Sequence, residues 1–203
     1  LRYLDTGAMY RAVCAAALNN GIDVRDQAAV AQFVRDLELY ISTDTDDQQV
    51  IAAGIDVTDQ IRTTEVSEAV SEVATNLAVR AELIARQRAM VAAGGIVLEG
   101  RDTTTVVAPH ADVRLLITAD PTSRIARRAA DLYDTVDQQT LDATSAQIVI
   151  RDQRDSTVVE FHTASDGVHT IDSTHLTLDQ TVDNALHFVW HSQTGHTDES
   201  ISR

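Results

Sequence analysis

Hydrophobic positions along the chain follow two alternating patterns, short apolar runs and longer segments with helical spacing. The apolar runs at residues 1–4, 96–98, 113–117 and 168–171 predict strands. Segments with apolar residues three or four positions apart separate these runs and predict crossover helices, so the pattern favours an α/β fold with a parallel sheet. Because the runs at 96–98 and 113–117 are almost wholly apolar, we expect both strands to be buried on both faces.

Residues with strong end preferences mark where the helices begin and stop. We predict helices over residues 8–19, 27–37, 65–74, 77–93 and 121–132, a long helix ending near 154, and a last helix that begins at the capping box Thr177-x-x-Gln180. Thr6 and Asn76 are suited to cap two of these helices at their N-termini, and Gly21 is suited to end the first.

The pattern changes between residues 38 and 57, where three short apolar runs are separated by an acidic turn and a glycine. This arrangement predicts a small antiparallel meander inserted into the parallel sheet. We therefore expect four parts: a core of residues 1–37 and 94–190, an insertion at 38–93, a short lid near 123–157 within the core, and a polar tail at 191–203.

Composition narrows the classes of partner. A net charge of −15 and a sequence pI near 4.6 disfavour a broad basic face for nucleic acid or an anionic membrane. No run is long enough to cross a bilayer, and the single Cys14 is typical of a reduced compartment such as the cytoplasm. The seven His show no metal-ligand spacing, so no metal site within the protein is expected. Every basic residue is Arg, since the chain contains no Lys.

Three polar clusters fall where chemistry could be carried out. Residues 5–7 follow one predicted strand and open a helix, residues 100–102 follow another strand, and residues 151–155 place charges on one helix face. Taken singly, each has a plain structural explanation: a capped helix, an ion pair or a solvated helix face. The pattern of charges alone leaves both explanations open.

Four segments in register resemble the bacterial cytidylate kinases. They are residues 4–11 (LDTGAMYR), 56–62 (DVTDQIR), 99–102 (EGRD) and 151–157 (RDQRDST). The resemblance implies the P-loop nucleoside monophosphate kinase fold and transfer of the ATP γ-phosphoryl group, with Mg²⁺, to CMP or dCMP. It also implies small nucleotides as partners and a monomeric enzyme.

The resemblance further implies a role for particular residues. Arg11 and Arg101 would hold the acceptor phosphate, and Arg101, Arg127 and Arg128 would offset charge during transfer. The other acceptor contacts fall into three groups: nucleotide seating by Thr6 and Tyr10, cytosine recognition by Ser71, Arg80 and Asp102, and sugar contact by Arg151 and Asp155. The Asp102 carboxylate accepts hydrogen bonds and the Arg80 guanidinium donates them, so this pair suits the edge of cytosine better than that of uracil.

The sequence departs from the family pattern in three places. It contains no G-x-x-x-x-G-K-[ST] loop, so the strand, P-loop and helix that hold ATP are expected to be absent from these residues, and residues 1–203 alone are expected to be inactive. Val158 stands where the family usually has Arg, and the three Thr after Asp102 replace a pattern that contains Gly.

Two other interpretations follow from these departures. The chain could be a kinase-derived nucleotide-binding or regulatory module without catalysis, or a segment of a longer multidomain protein. We favour a kinase, because nearly every acceptor position of the pattern is retained, and a scaffold has no physical reason to keep them.

Overall fold

The structure, a computed structural model, describes residues 1–133, 135–158 and 163–194; it describes no side chains for residues 147, 149–152, 154, 155, 193 and 194. The chain forms two compact units. Unit 1 contains Leu1–Ala108 and Val149–Glu160, and unit 2 contains Pro109–Ile148 and Phe161–Arg203. Pairs of parallel strands flanked by helices make this an α/β protein, as the alternating pattern predicts. No helix of the described residues is long and apolar enough to span a membrane.

Unit 1 follows the predicted order of elements closely. In chain order they are β1 (Arg2–Asp5), α1 (Thr6–Asn19), α2 (Gln27–Asp36), β2 (Leu39–Ile41), β3 (Val50–Ala52), β4 (Ile55–Asp56), a 3₁₀ turn (Gln60–Arg62), α3 (Thr64–Ala74), α4 (Leu77–Ala92) and β5 (Ile96–Glu99). β1 and β5 pair in parallel, with Asp5 opposite Glu99 at their carboxyl ends. β2, β3 and β4 form the predicted antiparallel meander, and β3 packs on α1.

Helix α1 is the centre of the unit 1 core, and its side chains from Ala8 to Ala17 are all buried. Its N-cap is Asp5, whose Oδ1 accepts a hydrogen bond from the Ala8 N–H at 2.9 Å. The expectation that Thr6 caps this helix is therefore wrong. Thr6 begins the helix instead, and its hydroxyl donates to the Glu99 carbonyl, because the first turn lies against the end of β5.

The remaining helix ends in unit 1 agree with the predicted signals. The Asn76 side chain caps α4 by accepting from the N–H groups of Ala78 and Val79. Gly21 adopts a left-handed conformation just past α1, which is the role expected of a glycine that ends a helix. These caps fix where α1 and α4 present their polar side chains.

A π-helix follows β5 over Thr103–Val107, and nothing in the sequence pattern predicts it. The Asp102 carbonyl accepts from the N–H groups of both Val106 (2.8 Å) and Val107 (3.2 Å). The residue that ends the EGRD segment is therefore also the start of an irregular helical turn. We call residues 102–107 the post-strand turn.

Unit 2 contains β6 (Leu115–Thr118), α5 (Pro121–Leu132), the start of α6 (Gln138–Asp155), β7 (His169–Asp172) and α7 (Leu178–Thr194). β6 and β7 pair in parallel. The predicted capping box is present, since the backbone N–H of Thr177 donates to Gln180 Oε1 and the N–H of Gln180 donates to Thr177 Oγ1. Helix α7 continues beyond His191 to Thr194, so the predicted polar tail begins inside a helix.

The two apolar strands are not buried on both faces, contrary to expectation. Val97 in β5 is 49% exposed and Ile117 in β6 is 54% exposed. Each strand pairs with a single neighbour among the described residues. A parallel strand is buried on both faces only when helices cover both faces of its sheet. A sheet of two strands has too small a surface for helices to cover both faces. The strand predicted over 113–117 also forms slightly later, over Leu115–Thr118.

Candidate functional site

A buried ion pair joins α4 to the end of β5. Arg80 Nη2 lies 2.5 Å from Asp102 Oδ2, and the two side chains are only 11% and 6% exposed. The Asn76 cap begins α4 so that the Arg80 N–H closes its first turn, and Asp102 follows β5 after the Gly100-Arg101 step. Burying two charges costs desolvation free energy that their mutual attraction often only offsets. Such a pair is therefore a candidate for function rather than for stability.

Tyr10 of α1 belongs to the same cluster. The Arg80 guanidinium carbon lies 6.0 Å from the centre of the Tyr10 ring. The Tyr10 hydroxyl is buried and has no hydrogen-bond partner in the part of the chain that the structure describes. Burial, together with the Asp102 charge, raises the pKa of Tyr10 to about 12, so the hydroxyl stays protonated and can donate.

Ser71 lies on α3, the helix before α4 in the chain. It is buried near the end of α3, one turn before Ala74, whose carbonyl accepts from Arg80 Nη1 at 3.4 Å. Three of the predicted acceptor-binding residues, Tyr10, Arg80 and Asp102, are thus brought together by α1, α4 and the post-strand turn.

Arg11 is not a solvated helix residue. Its guanidinium is buried, and Nη1 donates to the Ile61 carbonyl at 3.1 Å and to Ser67 Oγ at 2.9 Å. Ser67 is not among the site residues predicted from the sequence. Its position one turn before Ser71 on α3 was the available signal, because residues four apart share a helix face. Arg11 therefore ties α1 to the insertion.

Two carboxylates meet at the ends of β1 and β5. Asp5 Oδ2 accepts from Arg62 Nη2 at 2.8 Å, and the Tyr3 hydroxyl lies 3.5 Å from Glu99 Oε2. Desolvation and the neighbouring Asp5 charge raise the pKa of Glu99. Because β1 and β5 are parallel and in register, residues that end each strand face one another. That signal could have identified Glu99 beforehand.

Thr6 and Gly100 lock the two strand ends together. The buried Thr6 hydroxyl donates to the Glu99 carbonyl at 2.8 Å. A Cβ atom on Gly100 would lie only 2.0 Å from Thr6 Oγ1, so the close approach requires glycine. The hydroxyl of Thr6 is thus used within the protein, and the contact sets where the chain leaves β5 toward Arg101 and Asp102.

The predicted lid arginines lie in unit 2. Arg127 Nη1 donates to Ser173 Oγ at 3.0 Å, and its Nη2 donates to the carbonyls of Ser173 (2.6 Å) and Leu176 (3.3 Å). Arg128, the next residue of α5, is exposed. Arg127 therefore holds the loop that follows β7, and its catalytic role stays a prediction.

Two predicted sugar contacts cannot be placed in space. Arg151 and Asp155 fall in the last turns of α6, and their side chains lie outside the described residues. Among the residues that the structure does describe, no group of three or more His, Cys, Asp or Glu side chains could hold a metal ion. The His187 and His191 rings lie 4.0 Å apart on α7 without a third ligand in that part of the chain.

Comparison with known proteins agrees with this arrangement of motifs. The model of the cytidylate kinase family matches residues 1–191. The chain therefore belongs to the cytidylate kinase family, whose members have the P-loop nucleoside monophosphate kinase fold.

Curated relatives cover most of the chain. A cytidylate kinase of Cutibacterium acnes is 47% identical over 195 residues, which is 93% of this chain and 84% of that protein. A cytidylate kinase of Exiguobacterium sibiricum is 38% identical over 182 residues, 89% of this chain and 81% of that protein. A bifunctional pantoate ligase/cytidylate kinase of a Synechococcus species is 44% identical over 162 residues, 77% of this chain and 33% of that longer protein.

Proposed function

We propose that this protein transfers the γ-phosphoryl group of ATP to CMP or dCMP, giving CDP or dCDP. Membership of the cytidylate kinase family supports this reaction. The observation that carries the choice of acceptor is the buried Arg80–Asp102 pair beside the Tyr10 ring. The lone buried Cys14 is consistent with a reaction in the reducing cytoplasm, and we propose that the enzyme acts as a monomer.

The cytosine edge would displace Arg80 from part of Asp102. The Asp102 carboxylate would accept from the exocyclic amine, and Arg80 would donate to the ring acceptors. The Tyr10 hydroxyl, which has no partner among the described residues, would supply a further donor, and Ser71 would complete the base contacts. Uracil presents a carbonyl where cytosine has its amine, so Asp102 would face an acceptor and repel it.

The acceptor phosphate would be held by Arg11 and Arg101. The Arg11 guanidinium already lies buried between α1 and the insertion, so it would exchange a carbonyl and a hydroxyl for a phosphate, a stronger charge-assisted partner. Thr6 would act by fixing the strand ends beneath this site. Arg127 and Arg128 would offset the charge that develops on the transferred group, and Arg151 with Asp155 would contact the sugar.

ATP would enter this reaction as its magnesium complex. The chain has no Lys and no glycine-rich P-loop motif to cradle the β- and γ-phosphates, and the described residues hold no cluster suited to a metal of their own. We therefore propose that residues 1–203 alone bind the acceptor but transfer no phosphoryl group.

Base selection can be tested by binding, independently of ATP. Calorimetry should show that the wild-type chain binds CMP more tightly than UMP. Asp102→Asn should reduce this preference by about 1–3 kcal/mol, the free energy expected for a lost hydrogen bond to a charged group. Asp23→Asn, which changes an exposed carboxylate of unit 1, serves as the matched control. An unchanged preference in the Asp102 variant would contradict the assignment.

The need for an ATP-binding segment can be tested by joining one to the chain. A coupled kinase assay should detect no turnover by residues 1–203. Joining an upstream strand, a G-x-x-x-x-G-K-[ST] loop and a helix, about thirty residues on the scale of such a unit, should produce CMP-dependent turnover. In that extended protein, Asp155→Ala should slow phosphorylation of both CMP and dCMP. ATP-dependent turnover by the short chain would overturn the proposal.

A further inference from the structure

Gln87 of α4 is the clearest buried polar group that the proposed reaction does not use. The residue is 0% exposed, and neither its Nε2 nor its Oε1 has a hydrogen-bond partner among the described residues. A carboxamide can donate two hydrogen bonds and accept two. Nearly all buried polar side chains in folded proteins are bonded, so this orphaned amide calls for a physical reason.

Gln87 lies on the side of α4 that carries Arg80. The two residues are seven apart, which is close to two helical turns and places them on one face. The neighbouring Arg88 donates from Nη2 to the Val106 carbonyl at 2.7 Å, and α4 packs against the π-helix. Gln87 therefore lies on the face of α4 whose Arg80 pairs with Asp102, at the start of the post-strand turn.

The post-strand turn has a hydrogen-bond pattern that can change easily. The Asp102 carbonyl accepts from an α-type donor, Val106, and from a π-type donor, Val107, at the same time. The Thr103 carbonyl accepts a π-type bond from the Ala108 N–H at 2.8 Å. A small rotation would release one of these bonds and leave a backbone group beside α4. Single π turns are often found at functional sites.

We propose that Gln87 is a positioning residue for Asp102, and the proposal rests on the acceptor reaction proposed above. When the acceptor base draws Asp102 away from Arg80, the turn that begins at Asp102 shifts, and the Gln87 amide hydrogen-bonds the backbone groups that the shift releases. In the free protein the amide is unbonded, so its burial disfavours the free state. Because it interacts differently with the two states, the amide favours the acceptor-bound one.

The test compares Gln87→Met with Gln139→Met. The first substitution keeps the length of the side chain and removes the amide, and the second makes the same change at an exposed glutamine. Thermal melts of the unliganded Gln87→Met protein should give a Tm equal to or above that of the wild type. Calorimetry should show CMP binding weakened about 5- to 20-fold, a usual size for coupling between groups, with UMP binding changed much less. Gln139→Met should change neither quantity.

A direct measurement distinguishes positioning from a merely structural role. The side-chain amide protons of Gln87, followed by NMR, should move downfield to hydrogen-bonded chemical shifts only when CMP is bound. Hydrogen-bonded shifts without CMP, or a lower Tm for unliganded Gln87→Met, would show that the amide is already bonded in the free protein and would overturn the inference. Unchanged CMP affinity in a well-folded Gln87→Met protein would also overturn it, while leaving the proposed function intact. Failure of the folded wild-type chain to bind CMP would instead overturn the proposed function together with this inference.

Discussion

Units 1 and 2 use charged side chains in opposite ways. Unit 1 buries Arg11 and Asp102 in a mostly apolar core, and the Arg80 side chain that pairs with Asp102 is only 11% exposed. The described part of unit 2 buries no charged residue, and its Arg127 instead fastens a surface loop through backbone carbonyls. Burying a charge costs a large desolvation free energy. A half-exposed guanidinium that donates hydrogen bonds to backbone carbonyls keeps part of its hydration and costs less. The buried charges of unit 1 are those proposed to bind the acceptor, whereas the Arg127 hydrogen bonds of unit 2 order a surface loop.

The same contrast is visible in the apolar residues. Unit 1 packs fully buried side chains around α1, including Leu4, Val13 and Leu83. In the described residues of unit 2, Ala129 and Ile171 are the buried hydrophobic residues, and α7 exposes the apolar residues Leu178, Val182, Leu186 and Trp190. We therefore expect substitutions in unit 1 to have larger effects on stability than those in unit 2.

The largest effect should come from breaking the buried pair. Arg80→Ala leaves Asp102 as an uncompensated buried charge and should cost about 3–5 kcal/mol in the free energy of unfolding. Replacing both residues by apolar side chains of similar size should restore most of that loss. The exposed Asp23–Arg25 pair provides the control, and Arg25→Ala should leave stability unchanged. Urea unfolding gives the free energy of unfolding of each protein. Equal losses at the two pairs would show that burial does not set the cost of breaking them.

The next largest effect should come from the strand-end lock. Gly100→Ala forces a methyl group to within 2.0 Å of Thr6 Oγ1 and should destabilise unit 1 by about 1–3 kcal/mol, as overpacking does elsewhere. Removing the hydroxyl in the Thr6→Ala, Gly100→Ala double variant should recover part of that loss. Thermal melts decide the question. A double variant no better than the sum of the two single changes would show that the hydroxyl is not what the new methyl meets.

A smaller effect is expected at the loop anchor of unit 2. Arg127→Ala removes the hydrogen bonds to Ser173 and Leu176 and should cost about 1 kcal/mol. Arg128→Ala, one residue later and exposed, should leave the unfolding free energy unchanged. Hydrogen exchange of the backbone at residues 173–176 should quicken in the first variant only. Equal loosening of this loop in the Arg128 variant would show that the Arg127 hydrogen bonds are not what orders it.

The smallest effect concerns pH. Desolvation and the Asp5 charge raise the pKa of Glu99 in the folded protein above its unfolded value. The protonated form therefore favours the fold: the contribution of Glu99 is fully present below the unfolded pKa and is lost as pH rises through the folded pKa. Glu99→Gln should remove this loss, so the stability gained by the variant should grow as the pH rises above about 4, the pKa of an unperturbed Glu. A gain independent of pH, measured by urea unfolding at each value, would contradict the cause assigned here.

Predictions from local pattern succeeded where local chemistry decides. Asn76, Gly21 and the Thr177–Gln180 box end or begin helices as expected, because a cap depends on residues within one turn. The cap of α1 was misassigned to Thr6 because Asp5 and Thr6 are both good capping residues. Only the contact of the Thr6 hydroxyl with β5 separates their roles.

The sequence by itself determined the family and the α/β order of elements, and it supplied the residue types of the proposed acceptor site, since these follow from periodicity and from four motifs in register. Tertiary structure alone decided which charges are buried. Arg11 and Arg127 are the same type of residue. Arg11 is nevertheless buried between α1 and the insertion, whereas Arg127 hydrogen-bonds a surface loop. Tertiary structure also decided that a π turn follows Asp102 and that the buried Gln87 amide has no hydrogen-bond partner among the described residues. Burial and hydrogen-bond satisfaction depend on groups far apart in the chain, and no local pattern encodes them.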